Sequence, residues 1–274
     1  MAIPRPPTTQ DFPYWLVVAI ALAVVAAISI ALSGLYSQVF WTVIAGLGIT
    51  VRVTVIAFAL ASALGLAVAL MGISGSLAVR QAARFYVEII RGVPMMVLLF
   101  WIAFVGAPAL VWFWNFITSP LQNAGLLSPM LVRDFSLEWR AILALMIGYS
   151  SFIAEIFRAG IEAVEIGQIE AAKALGLSRF RRFRHVIWPQ AFRTILPPYS
   201  NDFVAMVKDS SLVSVLGVAD ITQMGKIYSS GSFRYFETYT IVAFIYLILT
   251  IGLSLALRRL ERRMQANRTT AAEH

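Results

Sequence analysis

Long apolar runs separated by short charged or proline-containing stretches organise this chain. Six of them, near residues 13–36, 42–72, 92–117, 139–160, 195–217 and 238–257, each supply the roughly 20 residues that a bilayer-crossing helix requires. The pattern predicts an all-α integral membrane protein, with no internal repeat. The polar connections differ in sign. The 73–91 connection holds Arg80, Arg84 and Arg91 against Glu88, whereas 118–138 holds Arg133 against Asp134 and Glu138. By the positive-inside rule the first is cytoplasmic and the second external. The tail carries Arg258, Arg259, Arg262, Arg263 and Arg268, so it too belongs inside, and six crossings place both termini in the cytoplasm. The N-terminal segment has just Arg5 and Asp11 to set its own orientation.

That parity decides the most polar run. Residues 195–217 contain Asp202, Lys208 and Asp209, and a hydropathy scan alone would reject them, yet without this crossing the arginine-rich tail would lie outside. Pro197 and Pro198 then fall in its first turns, where missing amide donors cost least. Tyr14, Trp15, Trp41, Trp112, Trp114 and Trp139 sit near span ends, as interfacial aromatics do. The first run exceeds a signal-peptide core and precedes no clear cleavage site, so it reads as a retained helix.

Composition narrows the function. With 59% hydrophobic and 13% charged residues the chain cannot form an ordinary soluble surface. Zero cysteines exclude a disulfide framework and thiolate chemistry, and two histidines, one of them His274, leave little for a metal site or a catalytic triad. The net charge of +8 is explained by lipid headgroups and topology rather than nucleic acid. No G-x4-GK-[ST] string is present to cradle phosphates. Glu162 and Glu165 read as a solvated helix face, and Glu155 with Arg158, three residues on, as an intrahelical ion pair.

The densest signal is EAAKALGLSRFRRFRHVIWPQ, residues 170–190. An alanine-rich helix lets a partner approach its backbone, Gly176 supplies a turn, and Ser178 caps a second helix. Lys173, Arg179, Arg181, Arg182, Arg184 and Arg193 face no acid between Glu170 and Asp202, which puts this loop on the cytoplasmic side. Binding to lipid alone would not require Glu170, Ala171, Ala172 and Gly176.

These residues resemble the EAA loop of permease subunits in ATP-binding-cassette importers. The stretches at 149–178, 188–218 and 91–100 resemble the polar amino acid and opine uptake class, over roughly residues 46–263. Val186 and Trp188 depart from the usual Ile and Leu, both as apolar exchanges on a packing face. The resemblance implies a five-helix core at 41–263, an extra N-terminal helix at 1–40 that serves peripheral packing or insertion or, as the alternative, regulation, and a cytoplasmic tail at 264–274. It also implies ATPase coupling through a 167–185 loop at Glu170, Ala171, Ala172, Leu175, Gly176 and Leu177, with no cofactor in this chain because ATP and Mg are held by partner subunits. The implied assembly contains two ATP-binding cassette subunits, a second permease, identical or paralogous, and an extracytoplasmic substrate-binding protein in the bacterial inner membrane.

Asn201, Lys208, Asp209, Ser210 and Ser211 place donors and acceptors of both signs in a crossing segment, a lining suited to a zwitterion or, alternatively, to mutual pairing that fixes the helix. Arg52, about ten residues into its span, could meet a substrate carboxylate or snorkel outward. The competing function is a stand-alone carrier or channel driven by an ion gradient, which requires acidic relays deep in several spans.

Overall fold

The computed structural model describes residues 14–266. Arg5, Asp11 and Arg268 therefore lie outside the described residues, as do the side chains of Trp15, Arg262 and Arg263. Every regular element among the described residues is helical. The first apolar run forms α1, Tyr14–Leu32, and breaks at Ser33, whose backbone is extended. Helix α2, Gly34–Ile44, then leads through a turn into α3, Leu47–Gly72. The break between the first two helices thus falls earlier than the sequence pattern suggests, and the boundary drawn at residue 40 lies inside α2.

Residues 73–91 are not an open connection. They contain α4, Leu77–Gly92, whose Ala83 and Val87 are buried at a spacing of four, while Tyr86 Oη lies 2.7 Å from Ser150 Oγ. Helix α5, Met95–Trp101, continues through a π-helical turn into α6, Ala107–Asn123. Helix α7, Leu137–Glu162, is the spine of the molecule and runs parallel to α3. Arg52 meets Glu138 at one end of the pair, and Gly72 approaches Arg158 at the other. Small residues at four-residue intervals, Ala57, Ala61, Gly65 and Ala69, allow this close packing. A Cβ on Gly65 would stand 2.9 Å from Ile153 Cγ2, so a larger residue cannot enter without moving α7.

After α7 come α8, Ile166–Ala174, and the short α9, Arg179–Arg182. A π-helical turn then opens α10, Trp188–Asp209, which continues as a 3-10 helix to Leu216. Helices α11, Ile221–Ser232, and α12, Tyr235–Ala266, complete the bundle. Pro197 and Pro198 lie in the interior of α10, not in its first turns, because the helix begins at Trp188. Each proline lacks the amide that would bond four residues back, so two rungs of the helical ladder are missing there.

Four helical stretches among the described residues are long and apolar enough to cross a membrane: Gly34–Gly72, Met95–Asn123, Leu137–Glu162 and Tyr235–Glu261. The α10 segment is not one of them, since its charges and prolines lower its hydropathy, yet its path traverses the bundle. Arg193, Leu196 and Pro197 share a cleft with Glu261 and Met264 near the end of α12. At the far end, Asp220 packs against the head of α3, where a Cβ on Gly46 would lie 2.4 Å from its carbonyl carbon. That far junction is tied by polar bonds. Ile221 N donates to Thr50 Oγ1 at 3.2 Å, and buried Asp220 accepts from Gln223 N at 2.8 Å and from Tyr246 Oη at 3.1 Å.

Candidate functional site

Two sites emerge, one at an end of the bundle and one within it. The first is the elbow between α7 and α10. Helix α8 ends in a Schellman motif, in which Leu177 N donates to Ala172 O at 3.1 Å and Gly176 N donates to Lys173 O at 3.0 Å. The motif needs a left-handed residue, and Gly176 provides it with φ of 73°. Ser178 then caps α9 by accepting from Arg181 N. Ala172 is buried, Leu177 half-buried, and Glu170, Ala171, Leu175 and Gly176 exposed. Leu175 is 81% exposed, Ile166 73% and Phe180 69%, an apolar group that the chain itself leaves uncovered.

Beside the elbow, Arg158 bridges two acids on α7. Its Nη2 lies 2.7 Å from Glu155 Oε2, and its Nη1 lies 2.7 Å from Glu162 Oε2. The expected Glu155–Arg158 pair is present and extends to Glu162; at this exposure such pairs contribute about 0.3–0.5 kcal/mol each. Glu165 is exposed at the N-terminus of α8.

The second site lies where α10 passes α7. A seven-residue spacing puts Asn201 and Lys208 on one stripe of α10 and Asp202 and Asp209 on the next. Asn201 and Lys208 are exposed. Asp202 and Asp209 line a cavity of about 230 Å³ with Val93, Met95, Tyr149 and Phe152. Tyr149 Oη donates to Asp209 Oδ2 at 2.8 Å, and Asp202 Oδ2 is buried with no hydrogen-bond partner. Arg91 stacks over the Phe152 ring, 5.3 Å from its centroid. Ser210 is fully buried and donates to Val207 O at 2.7 Å, while half-buried Ser211 gives its carbonyl to Ser214 Oγ. Arg52 is held apart from this tract in its ion pair with Glu138 at 2.7 Å.

The structure therefore brings Asp209 into the cavity and leaves Arg52, Asn201 and Lys208 elsewhere. Tyr149, Phe152 and Arg91 escaped sequence reasoning. A tyrosine inside an apolar span was the available signal, because a buried phenol needs a polar partner.

The family described as binding-protein-dependent transport system inner membrane component matches residues 61–266. The chain belongs to this family. The permease is 35% identical over 225 residues to a probable amino-acid permease protein, YxeN, of Bacillus subtilis, covering 82% of this chain and 92% of that one. It is 34% identical over 224 residues to the glutamine transport system permease protein GlnP of Escherichia coli, covering 81% and 92%. Among solved structures, a chain of an amino acid ABC transporter crystallised with histidines superposes with a TM-score of 0.66 at 35% identity, covering 93% of this permease and 100% of that chain. The permease is thus a multi-pass inner-membrane protein. The family match takes in the elbow, the cavity and α12 but begins after α1 and α2.

Proposed function

We propose that this permease is the translocation subunit of an ATP-driven importer for a polar amino acid or an amino-acid derivative. Two partner ATPase subunits bind ATP and Mg and push or pull the elbow at Glu170, Ala171, Ala172, Leu175, Gly176 and Leu177. A second permease, identical or paralogous, completes the path, and an extracytoplasmic binding protein delivers the substrate. Both termini are cytoplasmic and the chain crosses six times, with α1 as a peripheral span and α10 as the polar one.

The observation that carries this reading is the elbow itself. Its apolar residues are uncovered, while its hydrogen-bonded caps make it a stiff link between α7 and α10, two of the four helices that wall the cavity. A displacement of Leu175 and Phe180 by a partner would reach both walls at once. The substrate path runs along α10 past Asp209, with Asn201, Lys208, Ser210 and Ser211 on the same segment and Arg52, paired with Glu138, at the head of α3.

The test is reconstitution of the permease in liposomes with and without its ATPase subunits. ATP-dependent amino-acid uptake that vanishes when those subunits are omitted is the expected result. Uptake by the permease alone under an ion gradient would instead establish a secondary carrier.

A further inference from the structure

A second cavity, of about 290 Å³, lies between α3, α4 and α7, and its charges do not balance. Glu88, Glu155 and Glu162 line it against Arg84 and Arg158, so one carboxylate is in surplus. Arg158 is committed to Glu155 and Glu162. The Glu88 side chain is exposed and has no ion pair or hydrogen bond among the described residues, not even with Arg84 one turn away on α4. On α10 the imbalance has the opposite sign. The Lys208 side chain is exposed and equally without a partner among the described residues. The positions one turn from it, Val204, Ala205, Ser211 and Leu212, offer no acid, and its neighbour Asp209 accepts from Tyr149.

Both charges stand at the mid-height of a membrane-crossing helix. Tyr86, two residues before Glu88, meets Ser150, and Asp209, the residue after Lys208, meets Tyr149, so α7 registers the two groups at one level, the centre of Leu137–Glu162. A bare carboxylate or ammonium facing lipid at that depth costs several kcal/mol, so the faces that carry them are not lipid faces. We infer that the second permease is another copy of this chain, and that Lys208 of each copy enters the α3–α4–α7 cavity of the other to pair with Glu88. The inference rests on the importer reading for the need of a second permease and says which one it is. Copies inserted with the same orientation are related by a two-fold axis along the membrane normal, and such an axis keeps every group at its own depth. Only groups of equal height can then meet across it, a condition that Glu88 and Lys208 satisfy. A two-fold contact also makes each pair twice, which one chain achieves by carrying both halves. The flexible stem of lysine places its ammonium well beyond the helix surface, and the small Gly72 and Ala83 leave room for it in the cavity.

The chain contains no cysteine, so introduced thiols report on one contact at a time. Two differently tagged copies, one Glu88→Cys and the other Lys208→Cys, are produced together with the remaining importer subunits, and the membranes are treated with a short bifunctional maleimide. A crosslinked product carrying both tags is expected, in clear excess over the product obtained when both copies carry Glu88→Cys. No mixed-tag product, or equal yields from the two combinations, would overturn the inference. So would a crosslink from Lys208→Cys to a permease chain other than this one, which would mark a paralogous pair. Charge reversal supplies the second readout. Lys208→Glu or Glu88→Lys alone should lower the dimer recovered in detergent by about tenfold or more, and the two reversals in one chain should restore it. Both side chains are exposed and bond to nothing among the described residues, so the single variants lose no contact seen within the chain. A loss that the double reversal leaves unrepaired would overturn the pairing. A mixed-tag crosslink in a permease that shows no ATP-driven uptake would sink the importer reading and leave the dimer standing.

Discussion

The elbow at residues 166–185 and the cavity beside Tyr149 are both assembled from short stretches of one chain, but different forces hold them. The elbow is made by backbone rules that act within a few residues: a Schellman turn at Gly176, then a serine cap. The cavity is made by long-range packing, with α4, α5, α7 and α10 each contributing a wall. On the proposed reading the elbow is a motor contact that has to survive repeated loading, and its local hydrogen bonds keep its shape whatever the helices beside it do. A cavity proposed to pass substrate has to change shape, and one enclosed by four separate helices changes whenever any of them moves.

Substitutions can break this contrast at its strongest point first. Gly176→Ile forces a β-branched residue into the left-handed region, at a cost of about 1–2 kcal/mol or more to a turn that has no alternative glycine. There is open space around Gly176, so the damage comes from the backbone and not from a clash. ATP-driven uptake should fall by more than about tenfold while the protein still reaches the membrane fraction. Retained uptake would show that elbow geometry does not set coupling.

Gly160→Val probes the junction between the two regions. Its Cβ would lie 2.3 Å from Ile195 Cγ1, wedging α7 from α10, and overpacking of this kind costs about 1–3 kcal/mol. The thermal midpoint of the purified permease should drop, and a value equal to that of the unaltered protein would mean that the two helices part freely.

In the cavity, Tyr149→Phe removes the donor to Asp209 and should weaken amino-acid binding about tenfold, read by radioligand titration. An unchanged affinity would separate Asp209 from the substrate path.

The smallest effect belongs to Arg52 and Glu138. Their contact is 2.7 Å, but the arginine side chain is 57% exposed, so a double-mutant cycle on thermal stability should return under about 1 kcal/mol and shrink at high salt. If Arg52→Gln also lowers substrate affinity, then Arg52 does more than hold the heads of α3 and α7.

The elbow was legible in the sequence because its determinants are neighbours: Ala172, Gly176 and Ser178 announce a helix end, a left-handed turn and a cap without reference to the rest of the fold. The apolar spans were legible for the same reason. Helix α4 was not, since three arginines masked the stripe of buried Ala83 and Val87 and half-buried Tyr86 that packs it into the bundle. Hydropathy alone gives no hint of the long α10, because its charges and prolines lower the local average while its neighbours in the bundle supply the packing that keeps it helical. The separation of Lys208 from Asp209 could not be read from composition. It depends on which stripe of α10 turns toward Tyr149, and that is settled by α7.

Gly46 adds a mechanical constraint. With no side chain between them, the backbones at the start of α3 and at Asp220 are pressed together, and the bonds from Ile221 to Thr50 and from Tyr246 to Asp220 rivet the joint. The far stretch of the α10 path is thus anchored like the fixed end of a beam. Any displacement of the elbow must be taken up somewhere short of that anchor, and a weak cross-section on the way is the pair of unbonded rungs at Pro197 and Pro198.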